Sequence, residues 1–336
     1  MNLYRGINYW GVKKGAYVGN ILPLLPGGIA HMVEACMGSG TLSANLKFAG
    51  MKQTAFELDK GMYTLNRCIQ KRPYELIDLL KKTPYSRDVF ESSKELLENY
   101  IKGISDYDEL DVARAEYMAL VLSYNSMRIS YRSLDGYKKY DDKDMQRKCR
   151  MELERLRKNI YRDMPAIIIG NSYAWENLNI LCDDFMNHIE VFTEGKDTLV
   201  LIDPPYLLSK RGMGNGKRNS SGYMIDWNEQ EQRRFINFIK KIEKEPSHSR
   251  IMICNSFSIN PQGEIDMEEM KNDPYNKEFL KAGFRLVEVQ RKASSEIKNW
   301  KSDSPKKIKT EVVYVNYEDI IGEWSRYRYY DYDDIF

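Results

Sequence analysis

The run Val200-Leu201-Ile202-Asp203-Pro204-Pro205-Tyr206 places a carboxylate, two stiff prolines and an aromatic ring directly after a short apolar segment. That segment, Thr198 to Ile202, has the pattern of a buried strand. Prolines bring no N–H to continue a ladder and hold φ fixed, so the chain leaves the sheet stiffly at the strand's carboxyl end. Ligands of open α/β sheets bind at that end. The groups suit an exocyclic amine on a planar base. The amine donates to Asp203 and to the Pro204 carbonyl, and the ring stacks on Tyr206. The competing reading is a strand that ends in a Pro-Pro turn with an incidental Asp203, because short motifs recur by accident.

Two strand-to-helix units precede this tetrad. His31–Cys36 reads as a strand, Met37-Gly38-Ser39-Gly40-Thr41 as a tight turn, and Leu42–Phe48 as a helix. Gly38 and Gly40 let the backbone come close to a ligand, and the helix start offers free N–H groups. Met51–Phe56 reads as a second strand, ending in Glu57-Leu58-Asp59 before a helix from Lys60 to Gln70. A carboxylate about 20 positions after such glycines can accept from both hydroxyls of a ribose. Glu57, at the strand end, is the ribose candidate, and Asp59 reads as the helix N-cap.

From residue 74 to 165 the strand signals stop. Apolar residues recur at helical spacing in Ser92–Ile104, Asp108–Met127 and Asp144–Ile160, the pattern of a helical lobe inserted in the sheet. Its middle, Tyr124 to Arg132, mixes amides, arginines and aromatics. Asn125, Arg128 and Arg132 are of types that read base edges and neutralise phosphates, and they would equally suit a polar helix end. Leu178–Cys182 is strand-like and runs into Asp183-Asp184-Phe185, which fits either a ligand site or an N-cap followed by a core Phe. After Tyr206 comes a glycine-rich stretch with Lys210, Arg211, Lys217 and Arg218. By composition it is a linker or a basic loop that closes over nucleic acid. A helix from Asn228 to Ile242, a strand at Arg250–Cys254 and a hairpin of Gly283–Gln290 with Thr310–Tyr317 complete the sheet. Asp273-Pro274-Tyr275 reads as a loop and helix start. The Tyr- and Asp-dense tail, Arg326 to Phe336, is expected to be poorly ordered.

Composition excludes some classes. With 42% hydrophobic and 30% charged residues in 336, the chain reads as a soluble globular protein. It has no run of 18 apolar residues and no apolar signal core near its start, so a membrane partner is not expected. Five cysteines (Cys36, Cys68, Cys149, Cys182, Cys254) lack C-x-x-C spacing, which points to a reducing, cytoplasmic compartment and away from a metal site. The net charge of +2 says little about partners, whereas local basic clusters at Lys138–Arg162, Ser209–Arg218 and Arg291–Lys309 fit nucleic acid or a solvated face.

Asp-Pro-Pro-Tyr is also the signature of the amino-directed, S-adenosylmethionine-dependent methyltransferases of DNA. The order of the remaining features, over roughly residues 8 to 317, resembles the Dam-type (alpha order) N6-adenine enzymes. Trp10, Lys14 and Pro26 match the spacing of that family's opening. Glu34, Gly38 and Gly40 match its Glu-Pro-Phe-x-Gly-x-Gly, with Ala35 and Cys36 in place of the Pro and Phe. Asp183-Asp184-Phe185 stands where the family has Gly-Asp-Phe. Its Asn-Arg-x-x-Phe-Asn-Gly-type run is echoed only by Asn125 and Tyr131-Arg132.

The resemblance implies a Rossmann-like α/β methyltransferase sheet with helices on both faces and a closing β-hairpin. It implies a catalytic domain over 1–73 and 166–320, a helical target-recognition insert over 74–165, and a tail over 321–336. It implies S-adenosylmethionine as cofactor, held by Trp10, Lys14, Glu34, Gly38, Gly40, Glu57, Asp184 and Phe185. Asp203, Pro204, Pro205 and Tyr206 would act on the N6 amine of an adenine in double-stranded DNA. Members of the family work in bacterial cytoplasm or phage-infected cells, alone or beside a separate restriction endonuclease. The alternatives are transfer to cytosine N4, which uses the same tetrad, and a catalytically silent DNA-binding module. An RNA or protein-glutamine methyltransferase more often begins its tetrad with Asn, against Asp203 here.

Overall fold

The apolar runs pair into one eight-stranded sheet. Five strands are parallel, in the order β3 (Leu178–Leu181), β2 (Lys52–Phe56), β1 (His31–Glu34), β4 (Thr198–Ile202), β5 (Arg250–Ser258). β7 (Ile308–Val315), β6 (Arg285–Ala293) and β8 (Tyr329–Tyr330) continue the sheet antiparallel. The computed structural model describes residues 4, 6–7, 15–47, 50–123, 126, 128–131, 143–144, 146–147, 150–151, 154–155, 158, 162–204, 227–245, 248–259, 264–293 and 308–336.

All five residues of β4 are buried, because helices cover both faces of the parallel part. Successive side chains enter opposite cores. Leu199 and Leu201 pack with Tyr17, Val18 and Ile21 of α1 (Gly15–Ile21) and Leu42 of α2 (Thr41–Asn45). Val200 and Ile202 pack with Phe235, Phe238 and Ile239 of α9 (Glu229–Ile242). Near β2 and β3 the cover is α3 (Lys60–Lys71), whose Met62, Leu65, Cys68 and Ile69 fall at helical spacing. Asp59 caps α3 as its sequence position suggests, accepting from the N–H groups of Gly61 (3.0 Å) and Met62 (3.2 Å).

Within the segment read as an inserted lobe, α4 (Pro73–Lys82), α5 (Arg87–Ile101) and α6 (Glu109–Val121) do not stand off from the sheet. Leu76, Leu80, Phe90, Met118 and Leu120 share one core with Leu65, Leu178 and Ile180. α7 (Asp163–Ala174) returns the chain to β3 and adds Met164 and Ile168 to that core. The amphipathic faces that signalled helices are thus spent on α3 and on the sheet edge.

Two sequence expectations change here. β5 runs to Ser258, past Cys254, because β7 pairs with it along that length, Ser258 opposite Lys309. The tail is built into the fold. β8 pairs with Leu286 and Val287 of β6, and Ile335 of α12 (Tyr332–Ile335) is buried. The Arg285 guanidinium lies over the rings of Trp324 (5.0 Å) and Tyr329 (4.7 Å). Aromatic burial against the sheet's edge orders a segment whose density of Tyr and Asp shows no periodicity.

Gly19 is exposed within α1, and a Cβ added there meets no atom within 4 Å. Gly19→Ala is expected to stabilise the protein by about 0.5–1 kcal/mol, since helical glycine carries an entropic cost. Thermal unfolding of the single variant checks this, and an unchanged or lower melting temperature would contradict it.

Candidate active site

Strand order reverses between β1 and β4, and the carboxyl ends of these neighbours form the crevice where open α/β sheets bind ligands. Register aligns Glu34 with both Ala55 and Leu201. Cys36, Glu57 and Asp203 each lie two residues beyond these partners, so they leave the sheet side by side. Backbone bonds hold the row: Ala35 N–H to Leu201 O (2.8 Å), Met37 N–H to Phe56 O (2.9 Å), and Glu57 N–H to Leu181 O (2.9 Å). Asp203 is half-buried and Pro204 buried.

The glycine turn closes over this row. Gly38 and Gly40 have φ of 49° and 61°, the left-handed region in which glycine carries no Cβ penalty. Gly38 N–H donates to Glu57 Oε2 (2.7 Å), and Asn66 Nδ2 of α3 donates to Gly38 O (2.9 Å). Trp175, fully buried after α7, donates from Nε1 to Gly40 O (3.3 Å). A Cβ on Gly40 would collide with that indole and come within 2.7 Å of Met37.

The acidic residues divide the work. Glu34, 2% exposed, accepts from the Ser43 backbone N–H (3.0 Å) and from the Ser43 hydroxyl. It therefore satisfies an N–H at the start of α2 that sequence reading left free for a ligand. Glu57 accepts from Gly38 N–H and, through Oε1, from Asp59 N–H (2.9 Å). Asp59 serves as N-cap and pairs with Arg128. Asp184 accepts from Met186 N–H (2.9 Å) and from Arg234 Nη1 of α9 (2.5 Å).

Two expected site residues are buried among partners within the protein. Phe185, expected against a bound adenine ring, is 5% exposed and meets the rings of Phe192 (5.9 Å), Phe235 (6.0 Å) and Phe238 (5.8 Å). It is a core residue, the other reading of Asp-Phe. Arg128, expected at DNA, is 3% exposed, with its guanidinium held by Asp59 and Glu116 at 2.6 Å each. Residue type alone could not distinguish a phosphate contact from a buried ion pair. The expectations for Trp10, Lys14, Asn125, Arg132, Pro205, Tyr206, Lys210, Arg211, Lys217 and Arg218 lie outside the described residues. Sequence reading missed Trp175, Asn66, Ser43 and Arg234. Their partners are far along the chain or in ordinary helix positions, so no local spacing marks them.

Among the described residues, no group of three His, Cys, Asp or Glu side chains could hold a metal ion, and no helix is long and apolar enough to cross a membrane. The model of the D12 class N6 adenine-specific DNA methyltransferases matches residues 9–295. The chain belongs to that family. The methyltransferase is thus an enzyme of adenine-N6 methylation in DNA, on the Rossmann-like sheet its strand order describes. No curated protein matches it in sequence. The family match ends before β7, although β7 lies between β5 and β6 and joins the hairpin to the parallel strands.

Burial holds the Glu34 and Glu57 carboxyls up at about 8, against an ordinary 4.5, reinforced at Glu57 by Asp59 and at Glu34 by Asp203. Burial, with Asp59 nearby, raises Glu116 to about 7 against the opposing pull of Arg128. Between 4.5 and these values the folded methyltransferase binds protons that its unfolded chain has released. Its stability from these groups therefore falls as pH rises through that window. The ligand-free enzyme is expected to melt at lower temperature at about pH 8 than at about pH 5.5, and Glu57→Gln, which cannot ionise, should flatten the slope. Melting scans across that range check it, and an unchanged slope in the variant would contradict it.

Proposed function

We propose that the methyltransferase binds S-adenosylmethionine across the carboxyl ends of β1 and β2 and presents a target adenine to it beside Asp203. The observation that carries this reading is the Glu57 carboxyl, at the end of β2, bonded to the N–H of Gly38 in the turn after β1, the strand that lies between it and the Asp203 strand. The donor set fits the cofactor. Left-handed glycines let its methionine part approach backbone, and Glu57 has lone pairs left for ribose hydroxyls. The Asp203 carboxylate suits a cationic sulfur, and a cation bound there would draw the neighbouring Glu34 and Glu57 carboxyls, which burial holds up at about 8, toward their ionised forms. Asp184, with Oδ1 and Oδ2 already accepting from Met186 and Arg234, is held in orientation for an adenine amino group.

When bound, S-adenosylmethionine supplies an electrophilic methyl group. The protein's part is positioning. The target amine cannot be reached in the stacked duplex, so the base is rotated out. Tyr206 stacks on it. Asp203 and the Pro204 carbonyl accept hydrogen bonds from the amine, which draws the nitrogen toward tetrahedral geometry and aims its lone pair. Asp203 need not be a strong base beforehand, because the amine becomes acidic only once methylated. Lys210, Arg211, Lys217 and Arg218 neutralise phosphates, as do Asn125 and Arg132 from the recognition segment. Double-stranded DNA is the macromolecular partner in a bacterial or phage-infected cytoplasm, and a cognate nuclease would act separately at the same site.

Calorimetric titration of S-adenosylmethionine tests the cofactor reading. Glu57→Ala should weaken binding strongly, whereas Lys244→Ala, on the surface after α9, should not. Equal affinity of the Glu57 variant and the parent would contradict the ribose role.

A further inference from the structure

Arg128 sits in a conformation that its own chemistry does not explain. Its φ is 60°, and Ser126 has φ 55°, the left-handed region for two residues that are not glycine. Such backbone is unfavourable for a side chain with a Cβ and persists where the surroundings over-determine it. The surroundings here are specific. Arg128 N–H donates to Ser123 Oγ (2.9 Å), and Ser123 bridges to Tyr131 across the bend. The Tyr131 ring packs against Phe90 (5.7 Å) and lies under the Arg87 guanidinium (4.8 Å). Lys94 Nζ donates to Ile129 O (3.2 Å). This bend, which opens the segment expected to read DNA, is thus fastened to α5 and α6.

The arginine reaches the other way. Nη1 bonds Glu116 and Nη2 bonds Asp59, both at 2.6 Å. Asp59 N–H in turn donates to Glu57 Oε1 (2.9 Å), and Glu57 Oε2 accepts from Gly38 N–H (2.7 Å). A Cβ on Gly61 would stand 2.5 Å from Glu116 Oε2, so the start of α3 is pressed against the same carboxylate. Short contacts therefore run without a gap from the recognition bend to the glycine turn.

We propose that Arg128 is a positioning residue that sets the Glu57–Asp59 strand end from the DNA-reading segment, so that DNA engagement and cofactor affinity are coupled. This rests on the reading of Glu57 as a cofactor ligand and of the chain beyond Ser123 as the recognition element. The planar fork of arginine bonds both carboxylates at once. A lysine at this site is a point charge that satisfies one and leaves the other buried without a cation. Coupling of this kind is reciprocal: whatever factor DNA adds to cofactor affinity, the cofactor adds to DNA affinity.

The test titrates S-adenosylhomocysteine into the full-length protein with and without unmethylated genomic duplex fragments, for the parent, Arg128→Lys and Glu116→Gln. DNA is expected to tighten binding to the parent by a factor of roughly 5–150. In both variants the factor should fall toward one. KM for S-adenosylmethionine should rise roughly 10- to 100-fold, with kcat at saturation changed much less. A folded variant that keeps the full coupling factor overturns the proposal. Amide exchange of the parent needs no variant to fold. S-adenosylhomocysteine alone should protect amides at 128–131, and protection confined to 57–62 would overturn it too. If the parent does not bind S-adenosylhomocysteine at all, the cofactor reading fails and takes this inference with it. Binding without coupling defeats the inference alone.

Discussion

Asp203→Ala is expected to abolish multiple-turnover methyl transfer, a loss on the order of 10³-fold or more, while S-adenosylmethionine binds nearly as tightly as to the parent. The division follows from position. Asp203 begins the segment after β4, two residues beyond the partner of Glu34, while the glycine turn is bonded by Glu57 just past β2, Asn66 of α3 and Trp175 after α7. The bonds from Gly38 to Glu57, from Asn66 to Gly38 and from Trp175 to Gly40 do not pass through Asp203, so its removal leaves these contacts in place. One electrostatic effect does cross over. Asp203 helps to hold the Glu34 carboxyl up near 8, and its loss lowers that value without breaking the Glu34–Ser43 contact. Asp203→Asn keeps an acceptor oxygen toward the amine and is expected to retain more activity than the alanine variant. Single-turnover rates and calorimetric affinities on the same preparations check the split. Loss of cofactor binding in Asp203→Ala would contradict it.

Gly40→Ala is expected to remove cofactor binding and to destabilise the fold. At φ 61° a Cβ adds about 1–2 kcal/mol of backbone strain. The same Cβ runs into the Trp175 indole and Met37, and overpacking of that kind costs about 1–3 kcal/mol. Trp175 cannot retreat, because it is fully buried and its own carbonyl accepts from Gln70 Nε2 (2.6 Å). The turn must therefore move, and with it the Gly38 N–H that meets Glu57. Gly19→Ala provides the contrast, since it adds the same methyl group where nothing is near. Melting temperature and cofactor affinity measured together separate the two effects. A Gly40→Ala enzyme that binds cofactor normally would show that the turn tolerates what its geometry excludes.

Much of this architecture was legible in the chain because the signals are local. Thr198 to Ile202 is a buried strand since five apolar-compatible residues end at two prolines, and Asp59 and Asp273 cap helices as their spacing suggests. The order of strand, glycine turn, acidic strand end and Asp-Pro-Pro-Tyr also carried the family. What was not legible depends on partners far apart in sequence. Arg128 meets Asp59 across 69 positions, Arg234 meets Asp184 across 50, and Trp175 meets Gly40 across 135. An arginine in a polar run has the same type whether phosphate or a buried carboxylate receives it, and only packing decides. Phe185 is apolar in either role, so its place among phenylalanines of α8 (Ile189–Phe192) and α9 could not be told from a place on a cofactor ring. The tail misled for a related reason: its aromatic residues bury against β6 without repeating at any period.

The most direct test is methyl transfer from labelled S-adenosylmethionine to unmethylated genomic DNA, followed by nucleoside analysis and mapping of the modified positions. N6-methyladenine at one short motif, absent with Asp203→Ala, is the predicted result. N4-methylcytosine, or no labelled nucleoside from an enzyme that binds the cofactor, would contradict it.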